Sequence, residues 1–512
     1  MKALKYLTIL MIGLLLYSCE VDYLEDPNQT EIPPTYGIMN RVQKDFLDNT
    51  RDEWFSGRQS LLWMQYWQQV NYTEEDRFQY RENVNEYAWN DIYGNAQDLI
   101  DLIALNTDEA TAASMIEFSN APNINQIAAT RIMLAYVYLH AVELWGNVPY
   151  WSYSGTNPDF QANMIKTDGI TQPVYASEED IYLDMLSDLK LAINSIDTEE
   201  NMIDGDNFYN GDAKQWIKFA NSLRLRIANR IKGVSPEGVA VIAELTATDV
   251  FESNADNAAV TYEGNALNGA PMYVAFVVDA RDDFAPSCSF VDLLKGDRGT
   301  NVGVLDPRLD IFVNDNDDGQ KVGIPLTGSN EEVKAFTDKS WPGSEILKAD
   351  ATLEYMEYAE VCFIMSENNG WDQTWYEKGI RASMEKFGVA NSDINAYIAA
   401  VQPADEENVM TQKYIALYMQ PSEAWSEYRR TGYPHTLIKP NVPYTYTYMK
   451  DVDGVLTETT VNAEFLTIGG LTDLPARNKY LLNEANINGT NVVAAGVAMG
   501  GDLQTTKLWW QP

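Results

Sequence analysis

The sequence predicts a mostly α fold: a degenerate tetratricopeptide-type solenoid of helical pairs, with long irregular loops and a small β-hairpin insertion. Three observations predict it. Apolar residues recur at helical spacing in one segment after another. From about residue 265 to 350 that period disappears, and Gly, Asn, Asp and Pro become frequent. Between residues 440 and 470, Tyr444, Tyr446 and Tyr448 alternate with Thr, and Asp453-Gly454 supplies a hairpin turn.

Each element has its own signal. Trp89, Ile92, Tyr93, Leu99 and Ile103 form one apolar stripe. Residues 127–145 are apolar nearly all round, as in a helix buried on several sides, and Gly146 and Pro149 end it. Ser177, with Asp180 three residues on, reads as an N-cap ahead of Ile181, Met185, Leu189, Ala192 and Ile196. Asp212 caps a stripe of Trp216, Phe219, Leu223, Ile227 and Ile231. Residues 352–367, 372–387 and 405–419 read as helices, with Gly388 closing the second. No clean 34-residue repeat is visible, so any repeats are degenerate.

The N-terminus reads as a targeting segment. Lys2 and Lys5 precede an apolar run from Leu7 to Leu16 that is too short to span a bilayer. Leu16-Tyr17-Ser18-Cys19 resembles the bacterial lipobox, although Tyr17 is bulkier than usual there. On that reading residues 1–18 are removed, and Cys19 is acylated with enough chains to hold the protein on a membrane. Residues 19–40 then form an acidic tether, beginning with Glu20, Asp22, Glu25 and Asp26, and 41–512 form a single folded unit.

The chain carries 36 basic and 75 acidic residues, a net charge of −39, and loss of Lys2 and Lys5 takes it to −41. Such a field repels phosphate backbones and excludes nucleic acid as a natural partner. Beyond Cys19 only Cys288 and Cys362 remain, so no disulfide framework is implied. Cys362 lies among Val361, Phe363 and Ile364 and reads as a buried thiol, while Cys288 lies in a loop-like stretch. The 13 Trp and 30 Tyr exceed what the core needs, which suits stacking on sugar rings or peptides.

One group of motifs is specific. Thr411 to Tyr418 (TQKYIALY) runs into Ser422 to Pro434 (SEAWSEYRRTGYP). Upstream stand Trp145-Gly146-Asn147-Val148-Pro149-Tyr150, Lys218 to Arg226 (KFANSLRLR), Asp306-Pro307-Arg308 and Tyr376 to Met384 (YEKGIRASM). Downstream stand Leu474 to Tyr480 (LPARNKY) with Glu484, and a terminal Trp509-Trp510. In this order they resemble the SusD/RagB family of outer-membrane nutrient-binding lipoproteins of Bacteroidetes, with the hairpin as a local insertion. The resemblance implies a surface-exposed lipoprotein that captures oligosaccharides and passes them to a SusC-like TonB-dependent transporter barrel. A RagB-like peptide-binding role is the alternative. It also implies that the acidic tether acts as a surface-export signal. Arg224, Arg226, Arg429 and Arg430 read as architecture, tying helices together through buried hydrogen bonds.

Catalytic motifs are missing. His140 and His435 are the two histidines, and no H-E-x-x-H, nucleophile elbow, phosphate loop or dinucleotide fingerprint accompanies them. No cofactor is implied and no metal ligand set is assigned. Asn314 to Gly319 opens like a calcium loop but lacks the closing Glu, Pro325 standing at its twelfth position, so an Asx-rich turn is expected. The rival classes are a surface glycosidase, which 75 acidic residues leave open, and a purely structural repeat scaffold.

Ligand-site candidates are aromatics outside the helical stripes, since the family's ligand is held by loop aromatics with polar and Arg neighbours. Trp341 precedes Pro342-Gly343 in the irregular 265–350 insertion, which also holds Tyr273, Phe276 and Phe284. Trp67, Tyr72, Arg77 and Tyr80 surround a polar loop near the N-terminus. For each, loop-anchoring packing is the competing role, and Trp341 and Tyr72 are the foremost candidates.

Overall fold

Met39, Val42, Phe46 and Leu47 fall on one face of a helix that begins at Thr35, inside the stretch that the sequence reading gives to the tether. The computed structural model describes residues 32–512, and Thr35–Pro512 make up one folded unit. The signal segment, Cys19 and the acidic stretch after it lie outside the described residues.

Helix α1 (Thr35–Thr50) packs on α2 (Glu82–Thr107), and α2 on α3 (Asn123–Trp145). An 18-residue window of α3 is long and apolar enough to cross a membrane, but 94% of it is buried inside the fold, so α3 is the core helix. It is followed by α4 (Glu178–Ser195), α5 (Ala213–Ile231) and α6 (Pro236–Glu244), which pack in succession. The caps form as the sequence suggests. Ser177 Oγ accepts from Asp180 N at 3.2 Å, and Asp212 Oδ1 accepts from Lys214 N and Gln215 N at 2.9 and 3.1 Å.

The second half adds α7 (Tyr358–Asn368), α8 (Gln373–Lys386), α9 (Glu406–Ala416) and α10 (Pro421–Thr431). Gly379 lets α7 and α8 approach closely, because a Cβ there would stand 2.7 Å from the Phe363 ring. Three two-stranded antiparallel pairs complete the fold. In chain order the strands are β1 (Trp67–Gln69), β2 (Ala258–Thr261), β3 (Phe284–Pro286), β4 (Thr352–Met356), β5 (Pro443–Val452) and β6 (Val455–Glu464). They pair β1 with β3, β2 with β4, and β5 with β6.

Two expectations are corrected. Residues 352–356 form strand β4, not the start of a helix, because they pair with β2, and Glu357 is extended before α7 begins. Cys288 is the first residue of a short helix, Cys288–Lys295, and is fully buried. Both Cys288 and Cys362 are free, and burial pushes each thiol up to about 12.

Charge holds the helices in register. The side chain of Arg230 on α5 has no exposed surface. Its guanidinium donates to Glu143 of α3 at 2.9 Å and to Glu423 and Glu427 of α10 at 2.5 Å each. Arg226, one turn earlier, donates through Nε to Glu360 of α7 at 2.8 Å. Arg430 forks onto Glu367 at 2.7 and 2.8 Å and also reaches Glu427. Burial alone would raise the Glu367 carboxyl, but Arg430 and Lys232 hold it down to about 2. Arg429 caps carbonyls of Glu143 and Ala476, and its guanidinium lies 3.6 Å from the Trp425 ring and 5.1 Å from that of Trp510. The motif arginines among these, Arg226, Arg429 and Arg430, are architectural.

Replacing Arg230 with Met leaves three glutamates buried without their shared cation. The expected loss is about 3–5 kcal/mol, read as a lower urea midpoint with an unchanged slope. Glu178 gives a pH-dependent test. It is buried, and its two oxygens accept from Trp509 N at 3.1 Å. Burial pushes its carboxyl up to about 8, against the pull of that N–H and of Arg477 and Arg429. Its folded value lies above its unfolded one, so its contribution is complete below the ordinary carboxylate range and is lost as pH rises through about 8. Glu178→Gln is expected to flatten that fall, which amounts to at most about 1.4 kcal/mol per pH unit. Melting curves between about pH 5 and pH 8 check it.

Candidate ligand-binding face

The β1–β3 pair joins the N-terminal loop to the irregular insertion, with Trp67 opposite Pro286 and Gln69 opposite Phe284. Beyond the pair, Val70 N donates to Asp283 O at 2.8 Å. Trp67 and Phe284 have no exposed surface. Trp67 Nε1 donates to Tyr418 Oη at 2.8 Å, and its ring meets Phe276 at 5.6 Å and Phe284 at 6.3 Å between centroids. The pairing turns both side chains inward, so they form a floor and not a contact surface. The expectation of direct ligand contact is corrected for these two residues.

Tyr72, two residues past Val70, is 54% exposed. Its loop is built rigidly. Asp76 accepts from Gln69 N at 2.9 Å, and Asn330 Oδ1 accepts from both Thr73 N and Thr73 Oγ1, at 2.8 and 2.7 Å. Arg77 and Tyr80 serve as anchors of this loop. Arg77 Nε donates to Leu466 O at 2.7 Å, and Tyr80 Oη donates to Lys479 O at 3.2 Å. Both are half-buried.

Tyr273 and Phe276 lie on a turn that runs from Pro271 through a π-helical segment, Val274–Val278. Both are half-buried, while Val277 and Val278 beside them are exposed. A cavity of about 260 Å³ opens behind this turn, lined by Met272, Phe387, Tyr418 and Met419. Lys386 at its wall is paired with Glu354 and Glu357 at 3.4 and 2.9 Å.

Trp341 is 36% exposed, with Lys339 Nζ 5.4 Å above its ring. Its carbonyl accepts from Asn314 N at 2.9 Å, and Pro342 pairs with Val313. Gly343 makes this possible, because a Cβ there would lie 1.8 Å from Ile311 O. Burial lowers the Lys339 ammonium, while Asp282 and Asp338 pull it back up. Asp282 precedes the Asp283 that holds Val70. Asn330, which holds Thr73 beside exposed Tyr72, opens the short helix Asn330–Ala335 that leads into the segment carrying exposed Trp341, so the Tyr72 loop is tied to the irregular insertion.

Elsewhere the chemistry is structural. Asn316 Oδ1 accepts from Asp318 N and Gln320 N at 3.0 and 2.9 Å, which makes Asn314 to Gly319 an Asx turn. Among the described residues no three His, Cys, Asp or Glu side chains converge as a metal cluster. His140 is buried, and burial first, then Arg51, Arg429 and Arg226, push it down to about 3. His435 is exposed beside Glu407 at 3.5 Å.

The sequence matches the family described as "Starch-binding associating with outer membrane" over residues 27–447. The chain belongs to the SusD-like family. A second family description, "Susd and RagB outer membrane lipoprotein", matches residues 399–511. Solved SusD-like structures share the fold. A SusD homologue from Parabacteroides distasonis superposes with TM-score 0.74 at 20% identity, over 93% of this chain and 98% of that one. A chitin-binding protein gives 0.72 at 23% identity, over 93% and 100%. A chitin-binding SusD homologue from Flavobacterium johnsoniae gives 0.69 at 21%, over 93% and 98%. No match is found among curated proteins. The family is one of outer-membrane lipoproteins, and of its motif residues here Arg226, Glu423, Glu427 and Arg430 take part in the buried ion pairs.

The Trp341 arm of this SusD-like protein rests on Gly343. Gly343→Ala is expected to force the arm off residues 311–313 and to cost about 1–3 kcal/mol. A lower melting temperature, with faster hydrogen exchange confined to residues 311–344, checks it.

Proposed function

We propose that this chain is a non-enzymatic surface binding protein that captures oligosaccharide and delivers it to a SusC-like TonB-dependent transporter. Lipid on Cys19 holds it on the outer membrane, facing the exterior. The observation that carries the reading is the pair of exposed aromatics, Tyr72 and Trp341, on hydrogen-bonded loop segments, the Tyr72 loop being tied to the insertion that carries Trp341 through Asn330. Flat aromatic faces stack on the C–H faces of sugar rings, and the Asp, Asn and Lys side chains around them offer directional bonds to hydroxyls. The starch-binding description of the family and the chitin-binding names of two structural relatives support a glycan over other ligands. Binding fits the site better than His- or Cys-dependent catalysis, because both histidines lie elsewhere and both described thiols are buried and protonated.

Chito- and malto-oligosaccharides are the first probes, by calorimetry on residues 20–512. Trp341→Ala and Tyr72→Ala are each expected to weaken binding at least about tenfold while leaving the melting temperature unchanged. Unaltered affinity in both variants would refute the site. Saturable binding of peptides but not glycans would move the protein to the RagB-like role, and release of reducing sugar would make it a glycosidase. For the anchor, Cys19→Ala is expected to move the protein from the membrane fraction to the soluble fraction.

A further inference from the structure

The inserted hairpin lies against the Trp341 arm. On β5, Tyr444, Tyr446 and Tyr448 share one face, and that face meets the irregular insertion. Tyr444 Oη donates to Leu326 O at 2.7 Å, Tyr446 Oη accepts from Gly323 N at 3.1 Å, and Phe336 packs edge-on to Tyr448 at 5.3 Å. One residue pair further out, the hairpin grips a single carboxylate. Asp338 Oδ2 accepts from Tyr448 Oη at 2.7 Å and from Lys450 Nζ at 2.8 Å, and Lys450 also reaches Oδ1 at 3.0 Å. The same residue is held from the other side, where Asn316 Nδ2 donates to Asp338 O at 2.6 Å. The Asx turn is itself tied back to the hairpin, through Asp451 N donating to Asp318 Oδ2 at 2.9 Å. Asp338 is followed by Lys339, whose ammonium covers the Trp341 ring.

We propose that the hairpin is a positioning element for ligand capture: Tyr448 and Lys450 clamp Asp338, and the clamp sets where Lys339 and Trp341 stand. This rests on the reading that Trp341 contacts the ligand. Three chain segments, the Asx turn, the 336–342 arm and the hairpin, close on one another around Asp338. None of the three is a helix that could hold the arm by itself. The hairpin is anchored by its tyrosine face and by the Asp451 N–H, while Val452, Val455 and Leu456 at its tip are exposed. Its contribution is therefore a fixed orientation of the arm.

The test uses the soluble chain, residues 20–512, with Tyr448→Phe and Lys450→Met combined, with Asp338→Ala as a second route to the same loss, and with Lys450→Arg as the conservative control. Hydrogen exchange without ligand is expected to quicken at least fivefold across residues 336–344 in the first two and to stay near the wild-type rate in the control. Affinity for chito- or malto-oligosaccharide is expected to fall at least fivefold in the same two variants, with unchanged melting temperature. Unchanged exchange across 336–344 would overturn the clamp whether or not any glycan binds. Quickened exchange with unchanged affinity, where Trp341→Ala still weakens binding, would overturn its role in capture and leave the capture reading standing. If Trp341→Ala also has no effect, the capture reading at Trp341 fails and the role in capture fails with it.

Discussion

Arg230 joins the front, middle and back of the chain through one guanidinium, with Glu143, Glu423 and Glu427 as its acceptors. A buried cation without acceptors would be ruinous, and so would three buried carboxylates without a cation. Each side therefore requires the other, and the requirement fixes α3, α5 and α10 in one arrangement. The neighbouring pairs extend the constraint. Arg226 draws in α7 through Glu360, and Arg430 draws in the end of α7 through Glu367. The C-terminal tryptophan closes the group from outside, with the Arg230 guanidinium 5.2 Å from the Trp510 ring. Hydrophobic stripes bring helices together, but apolar contact tolerates sliding by a turn. Forked charge-assisted bonds do not.

That rigidity lets the rest of the chain be irregular. Helices occupy the scaffold, and the candidate face is made from a loop after β1, a π-helical turn, an extended arm and a hairpin. Their shape comes from side chain to backbone bonds at Asp76, Asn316 and Asn330 and from the side-chain bonds of Asp338 to Tyr448 and Lys450. Such bonds suit surfaces that must be polar and specific at once. Tyr72 and Trp341 are thereby presented on segments that hydrogen bonding defines.

Sequence periodicity revealed most of the scaffold, and for physical reasons. The stripes of α2, α4 and α5 repeat over several turns, and the caps at Ser177 and Asp212 are local. Short strands gave no such signal. Strands β2 and β4 lie far apart in the chain, and neither is long enough to show alternation, so residues 352–356 read as helix. The same limit affected the site. Trp67 and Phe284 sit in loop-like sequence, and only the pairing of β1 with β3 buries them. Cys288 looked like a loop residue because the helix it starts is eight residues long. Exposure of Tyr72 and Trp341 accords with their loop context. The contact between the Tyr72 loop and the insertion depends on Thr73 and Asn330, which carry no mark in the sequence. The motif arginines were readable as architecture because no nucleophile or general base accompanied them. Their partners were only partly readable: Glu427 serves Arg430 within the same helix, whereas Glu423 serves Arg230 and Arg226 instead.

The separation of Arg230 from its acceptors also bears on how the polypeptide reaches this state. Glu423 and Glu427 lie 193 and 197 positions further along the chain. A polypeptide that emerges amino end first therefore holds Arg230 and Glu143 for a long interval before the remaining acceptors exist. Local helices form early and cheaply, but closing so long a loop costs entropy before it returns any contact. Until it closes, hydrated charges in the would-be interior oppose premature collapse. The final consolidation of this protein thus belongs to the completed chain, and loss of even the last hundred residues would leave the amino-terminal helices without a finished core.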